Sequence, residues 1–186
     1  MNIKSKLGRL VGIAVAVMIG WLSLISIASA QTAQPHAIST TGTTTGCAIQ
    51  TFNGHFLTAV NGGGGTINSI LTNETSIRSW EKFSLIGLGT SGFAIRTSDN
   101  RHFLNAVGGG GFTNTEDAVH TNATVPSSWE NFRLYPLSTG PNQYAIRTIN
   151  GYYLTAVDGG GRKTETIHTN SLRIGTWEYF TITCGH

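Results

Sequence analysis

Apolar and polar residues alternate in short runs along most of the chain. Residues 93–97 alternate with period two and carry β-branched side chains, as a half-buried strand requires. The dipeptides Asn53-Gly54 and Asn150-Gly151 follow two such runs, and Asn-Gly is a strong hairpin signal. After residue 30, no stretch has the helical period. The pattern therefore predicts an all-β protein.

The runs are arranged in three copies of one repeat. Trp80, Trp129 and Trp177 recur at intervals of 49 and then 48 residues, each at a constant spacing from an Asn. In the third copy the second strand is predicted at 152–157, the third at 167–170, and the fourth from Trp177. Glycine runs follow each second strand, at 62–65, 108–111 and 159–161. Four strands in three copies predict twelve strands.

Twelve short strands in threefold repetition suit a closed barrel capped by hairpins, because closure removes exposed sheet edges. A three-bladed propeller would fall below the usual blade number. We therefore predict a β-trefoil. Its domain is predicted at 47–186, with repeats at 47–92, 93–143 and 144–184.

The first thirty residues have the order of a secretory signal peptide. Lys4, Lys6 and Arg9 precede an apolar run, and Ala28-Ser29-Ala30 offers a cleavage site. The run is long enough that an uncleaved anchor stays an alternative. Residues 31–46 are predicted to form a flexible linker. We expect a secreted, extracellular protein that has no membrane contact after cleavage.

Removal of this segment changes the charge balance. Three of the twelve Lys and Arg lie in it, so nine remain against nine Asp and Glu. With no basic face left to collect phosphates, nucleic acid is not an expected partner.

The two cysteines, Cys47 and Cys184, bracket the repeats and predict a disulfide in an exported protein. Because this disulfide would close a long loop, the loop-entropy model gives it a stabilisation of the folded protein of roughly 4–5 kcal/mol.

Large apolar residues recur at matching places and predict a shared core. They are Ile49, Ile95, Ile146, Leu57, Leu104, Leu154, Phe83, Phe132 and Phe180. No glycine run is followed by a helix, so none resembles a phosphate-binding loop. The runs predict tight turns with positive φ angles, and close approach of a ligand to bare backbone stays an alternative.

A Trp-Glu pair precedes each Phe of the fourth strand. A glycosidase needs two carboxylates about 5–10 Å apart, whereas threefold repetition separates these three glutamates into equal settings. Each glutamate shares strand parity with the core Phe, so we expect it to point inward and accept turn amides, including those of the glycine run. A structural role is therefore predicted for Trp80, Glu81, Trp129, Glu130, Trp177 and Glu178.

Polar-aromatic pairs stand on each second strand. They can stack on a sugar ring or equally cap the barrel, and the residues leave both readings open. Symmetry-related histidines lie on different lobes, so no metal site is predicted, and no cofactor is expected. The predicted ligand-binding residues are His55, Phe56, Asn61, His102, Phe103, Tyr152, Tyr153 and Asp158.

The repeats resemble the fascin-like β-trefoil family. The likeness lies in the Tyr-Leu-Thr-Ala second strand at 153–156, the following glycines and the Trp-Glu-x-Phe motif, and it spans Cys47 to Cys184. It is greatest for fascin-like modules attached to secreted glycoside hydrolases, whose Ala-x-x-Gly-Gly-Gly pattern occurs here at 59–64. The resemblance implies a β-trefoil but no single function, since trefoils serve many. The Gln-x-Trp motif of ricin-type lectins is absent, so their site residues are not transferred.

These observations favour a non-catalytic, lectin-like binding module over an enzyme, because no nucleophile-base pair or carboxylate dyad is visible. A polysaccharide or glycan is the expected partner of a monomeric protein. Aromatic faces with a few fixed polar groups meet the needs of a sugar site. A protein-binding trefoil, either actin-binding and fascin-like or a secreted inhibitor, is the alternative.

Overall fold

Three units of four strands follow one another in the computed structural model, which describes residues 38–112 and 118–186. The twelve strands are β1 Thr41–Thr51, β2 Phe56–Ala59, β3 Ile70–Glu74, β4 Phe83–Leu88, β5 Phe93–Arg96, β6 Phe103–Ala106, β7 Val119–Ala123, β8 Arg133–Pro136, β9 Gln143–Arg147, β10 Tyr153–Ala156, β11 Ile167–Ser171 and β12 Phe180–Thr183. Five short 3₁₀ turns lie between these strands.

Six strands form a barrel and the other six form three hairpins. In the barrel, β1 pairs with β4 and β12, β4 pairs with β5, and β9 pairs with β8 and β12. A bridge between Phe93 and Phe132 joins β5 to β8 and closes the ring. The hairpins are β2–β3, β6–β7 and β10–β11. The predicted twelve-stranded β-trefoil is confirmed.

The core is built from the same positions of each repeat. The nine apolar residues predicted for it are each at most 1% exposed. Because alternate residues of a strand face opposite sides, each repeat sends its Ile, Leu and Phe inward at matching heights. Each side chain contributes about 1.5–3 kcal/mol by leaving water.

A disulfide joins the two ends of the domain. Cys47 lies in β1 and Cys184 directly follows β12, 137 residues later. The ladder that pairs Ala48 with Thr183 places the two cysteines beside each other. The predicted disulfide is therefore present, and it follows from the trefoil topology, in which the first and last strands are neighbours.

Two element boundaries differ from the prediction by more than one residue. β1 begins at Thr41, which pairs with Leu88 of β4, so residues 41–46 of the linker predicted at 31–46 belong to a strand, and its residues 31–37 lie outside the described residues. The threonines of this segment show no apolar alternation, and backbone pairing alone makes the strand. The fourth strand of the last repeat begins at Phe180, because Trp177 lies in the 3₁₀ turn Thr176–Glu178.

The predicted signal peptide, residues 1–30, lies outside the described residues. Within 38–112 and 118–186, no helix has the length and apolar character needed to cross a membrane.

Each glycine run contacts the repeat that follows it. Gly65 and Thr121 exchange hydrogen bonds: the Thr121 amide donates to the Gly65 carbonyl at 2.9 Å, and the Gly65 amide donates to Thr121 Oγ1 at 3.0 Å. Equivalent bonds join Phe112 to Thr169 and Arg162 to Thr72. The first run thus holds the second repeat, the second holds the third, and the third holds the first. We call this cycle of contacts the glycine clasp.

The clasp requires glycine for two reasons. Gly63, Gly110 and Gly160 have φ angles of +129°, +100° and +106°, where a side chain is strained. A Cβ on them would also lie 2.4, 2.6 and 2.2 Å from the Oγ1 atoms of Thr97, Thr148 and Thr51, respectively. The predicted positive-φ turns are therefore confirmed, and the bare backbone is covered by the next repeat.

Replacement of Gly63 by Ala tests the clasp. We expect G63A to lower the free energy of unfolding by about 2–4 kcal/mol, since backbone strain adds to overpacking against Thr97. The matched control is G89A, at φ +66° with no atom within 4 Å of the added Cβ. The control should cost only about 1–2 kcal/mol, from backbone strain alone. Equal losses in chemical denaturation would show that the clasp does not need this close approach.

Candidate functional site

The Trp-Glu turn places a carboxylate inside each repeat. Glu81 is 2% exposed, and its two oxygens accept separate hydrogen bonds. Thr58 Oγ1 donates to Oε1 at 2.8 Å, and the Arg78 amide donates to Oε2 at 2.8 Å. The carboxylate therefore ties the second strand to the turn that leads into the fourth.

The other two repeats reproduce this arrangement. Glu178 accepts from Thr155 Oγ1 and from the Gly175 amide, both at 2.7 Å. Glu130 accepts from the Asn105 side chain and from the Ser127 amide. The amide donors belong to the turn three residues before each glutamate, whereas the sequence suggested the glycine run. All three carboxylates are buried and hydrogen-bonded at both oxygens.

The adjacent tryptophans lie on the opposite side of the turn. The Trp80 carbonyl accepts the Ala59 amide at 2.9 Å, which fixes its backbone on the second strand. The Trp129 carbonyl accepts the Ala106 amide in the same way. The side chains of Trp80, Trp129 and Trp177 are nevertheless 43, 47 and 44% exposed. Every repeat therefore exposes a large aromatic residue to solvent, and in the first two its backbone is bonded to the second strand.

In the first repeat, the tryptophan borders a groove of about 290 Å³. The groove is lined by Thr58, Leu71, Glu74, Arg78, Ser79, Trp80 and Glu81. It combines one aromatic wall with hydroxyl, carboxylate and guanidinium groups. Phe56 lies two residues before Thr58 and so projects from the same face of β2. We call this groove, together with the equivalent positions of the other repeats, the tryptophan grooves.

The side chains around the tryptophan differ between repeats. His120 and His168 stand where the first repeat has Leu71. Burial lowers the pKa of His168, which favours its neutral form, although the nearby Glu165 acts in the opposite direction. The equivalent positions of the three repeats thus share an exposed tryptophan and differ in the polar groups beside it.

Three of the predicted ligand residues lie over the glycine clasp. A Cβ on Gly161 would meet the His55 ring at 3.3 Å, one on Gly64 would meet His102 at 3.2 Å, and one on Gly111 would meet Tyr152 at 3.3 Å. Each ring therefore packs on the bare backbone of the preceding repeat. The sequence is compatible both with rings that stack on a sugar and with rings that cap the barrel. In the structure, one face of each of these rings is covered by protein.

Asp99 orders one of these contacts. Its carboxylate bonds the His102 ring and accepts the Arg101 and His102 amides at 2.9 and 3.0 Å. Thr97 Oγ1 donates to it at 2.9 Å. Burial works against ionisation, but these hydrogen bonds outweigh it and lower the Asp99 pKa to about 2.

The remaining predicted residues are spread over other surfaces. Phe103 is 7% exposed and offers little ring surface. Tyr153 packs edge-on against Tyr135, with 6.2 Å between the two ring centroids. Asn61 and Asp158 occupy equivalent left-handed positions, with φ of +57° and +56°. Asp158 is engaged by Arg162 at 2.5 Å. The eight residues therefore do not converge on a single site.

The exposed tryptophans are the feature that sequence reasoning placed in the scaffold. Strand parity contained the necessary signal, because a Trp adjacent to an inward glutamate must face outward. Threefold recurrence of a residue suggests a structural role, but it suits three equal binding surfaces as well. Within the described ranges, no group of three His, Cys, Asp or Glu side chains is placed to hold a metal ion.

Solved structures of β-trefoil proteins share this fold. The designed threefold-symmetric protein ThreeFoil aligns with a TM-score of 0.61 and 12% identity, over 75% of this chain and 96% of its own. SeviL, solved bound to asialo-GM1 saccharide, aligns with a TM-score of 0.57 and 12% identity, over 77% of this chain and 99% of its own. The Macrolepiota procera ricin B-like lectin, solved with lactose, aligns with a TM-score of 0.54 and 13% identity, over 80% of this chain and 99% of its own.

At these identities the likeness shows the fold alone. No protein-family model and no curated protein matches the sequence. The solved neighbours thus share the β-trefoil fold, and the fascin-like resemblance stays a prediction.

Replacement of Glu81 tests whether the carboxylates hold the turns. We expect E81A to lower the free energy of unfolding by about 2–4 kcal/mol, because a buried amide and hydroxyl lose their acceptor. E81Q should cost less, since its oxygen still accepts the Arg78 amide. The exposed Glu165, in a surface ion pair with Arg162, provides the control E165A, which should change stability by at most about 1 kcal/mol. An E81A protein as stable as wild type would refute this role.

The Asp99 pKa predicts a pH dependence. Its folded value, about 2, lies below the ordinary value, so its contribution to stability is present above about pH 4 and is lost as pH falls towards 2. We expect D99N to remove that part of the acid-induced loss, as measured by thermal melts across this range. Parallel pH profiles for the two proteins would contradict the assignment.

Proposed function

We propose that this protein is a secreted, non-catalytic, lectin-like module that binds saccharides in its tryptophan grooves. The observation that carries the proposal is the recurrence of a half-exposed tryptophan on an anchored turn in all three repeats. An indole face stacks on the apolar face of a sugar ring, and neighbouring polar groups bond its hydroxyls.

The first groove has the polar groups that such a site needs. Ser79 offers a hydroxyl, Arg78 offers donors, and Glu74 offers acceptors beside Trp80. Their mixture of donors and acceptors matches the hydroxyls of a neutral sugar. The volume of about 290 Å³ suits one or two sugar units at an open surface.

The solved neighbours support a saccharide as the ligand class. SeviL was solved bound to asialo-GM1 saccharide and the Macrolepiota procera lectin with lactose. Three grooves on one domain would raise avidity for a polymer without stronger single contacts. Fascin-like membership and secretion remain parts of this proposal, carried by the repeat motifs and the signal-peptide pattern.

The buried glutamates favour binding over catalysis. A general acid or nucleophile must reach the scissile bond, whereas Glu81, Glu130 and Glu178 are 2, 4 and 6% exposed. Their oxygens are also engaged by the turn and the second strand. We infer that these carboxylates shape the grooves without acting on the ligand.

A glycan array with tryptophan variants tests the proposal. We expect wild type to retain at least one oligosaccharide class, and the triple variant W80A/W129A/W177A to lose retention. Each single variant should weaken binding at its own groove about ten-fold or more, since a central aromatic anchor is worth about 1.4 kcal/mol or more.

The matched control is I67A, which removes an apolar side chain that is 66% exposed and lies outside the first groove. It should bind as wild type does. Failure of wild type to retain any glycan would refute the proposal, as would undiminished retention by a folded triple variant.

A further inference from the structure

A row of cationic and aromatic side chains crosses three strands of the second and third repeats. Arg133 of β8 lies directly opposite Arg147 of β9, and Arg147 lies opposite Tyr153 of β10. Directly opposed residues of an antiparallel pair project from the same face, with Cβ atoms about 4.5–5.5 Å apart. We call these three residues the arginine row.

The two arginines of the row repel each other. Like charges directly opposite on neighbouring strands destabilise a sheet. Among the described residues, no carboxylate lies within ion-pair distance of Arg133 or Arg147. The row is therefore an uncompensated concentration of positive charge in a domain whose predicted mature chain is balanced.

Arg147 is held in a fixed orientation. Its Nε donates to the Gly151 carbonyl at 2.8 Å, and Nη1 donates to the Tyr135 hydroxyl at 3.4 Å. Its guanidinium carbon lies 5.8 Å from the centre of the Tyr135 ring and 5.5 Å from that of Tyr153. Within the described parts of the chain Nη2 has no hydrogen-bond partner, so donors remain for a ligand in a preorganised plane.

A cavity of about 320 Å³ adjoins the arginine row. It is lined by Arg133, Arg147, Thr148, Ile149, Asn150 and Gly151, without an acidic side chain. The Tyr135 pKa is lowered, first by its hydrogen bond with Arg147 and further by the charges of Arg147 and Arg133, although burial opposes this. The local potential is therefore positive.

The fold does not require this charge. The equivalent row of the first repeat is Thr181, Gln50 and Phe56, and that of the second is Ser84, Arg96 and Phe103. Both rows are accommodated by the same barrel with one arginine or none. The second arginine of the third row thus adds a destabilising repulsion without a structural need.

We propose that the arginine row binds the carboxylate or sulfate group of an acidic saccharide, with the sugar ring against the exposed part of Tyr153. A planar guanidinium pairs with either anion through two donors. The cavity suits a single acidic sugar unit, and no extended basic track continues from it to follow a nucleic acid. The preference for an anionic group is inferred from the arginine row itself. The inference that this group belongs to a saccharide rests on the proposed function.

Calorimetric titration of the purified protein tests the site with four probes. Tetragalacturonate supplies carboxylates, a heparin tetrasaccharide adds sulfates, the methyl ester of tetragalacturonate removes the charge, and single-stranded DNA tests another polyanion. We expect one or both acidic saccharides to bind and the neutral ester to bind at least ten-fold more weakly. Preference between the first two probes distinguishes carboxylate from sulfate.

The variants R147Q and R133S introduce the residues that the first and second repeats carry at these positions. Each should weaken binding of the acidic probe about ten-fold or more, whereas R96Q, in the sister row, should change it less than about two-fold. Without saccharide, R133S should melt at the same or a higher temperature than wild type, because repulsion is removed. A lower melting temperature would assign Arg133 a structural role and overturn the proposal.

Failure here is distinguishable from failure of the tryptophan grooves. Binding of the acidic probe should survive in W80A/W129A/W177A and be weakened about ten-fold or more in R147Q. Absence of binding by either acidic saccharide, or equal binding by wild type, R147Q and R133S, would overturn the anion site. If DNA bound as tightly as the acidic saccharides, with the same dependence on Arg147, the inference that the anionic ligand is a saccharide would be overturned.

Discussion

Close approach of bare backbone between successive repeats is the constraint on which this structure depends. A single four-stranded unit is too small to bury its own Ile, Leu and Phe, so each must be completed by its neighbours. The glycine clasp makes that contact three times in a closed cycle, through bonds such as that of Thr121 with Gly65. Any side chain at Gly160 would collide with Thr51. The shared core and the neighbouring positions of Cys47 and Cys184 follow from this closure.

The same threefold scaffold separates what is buried from what is displayed. In each Trp-Glu turn, the carboxylate binds the turn and second strand from within, and the adjacent indole remains outside. The scaffold residues are nearly identical in the three repeats, whereas the surface residues diverge. Leu71 has His168 as a counterpart, and Gln50 has Arg147. A symmetric interior thus supports surfaces of different chemistry, consistent with a fold that carries many functions.

The sequence was informative wherever a residue's role depends on its own repeat. Recurrence identified the core and the twelve strands, and two bracketing cysteines behind an export signal predicted the disulfide. It failed where a contact crosses between repeats: nothing local reveals that the His102 ring covers Gly64, or that Arg133 faces Arg147. It also missed the start of β1 at Thr41, because a polar strand held by backbone bonds has no apolar alternation.

We propose that saccharides bind on the indole faces, away from the glycine clasp. Two-dimensional NMR of the protein, titrated with an oligosaccharide that it retains, tests this directly. The indole N–H signals of Trp80, Trp129 and Trp177 should shift in a saturable manner, while the ring signals of His55 and His102 stay in place. Shifts of the histidine rings with unchanged indole signals would locate the ligand at the clasp and contradict the account.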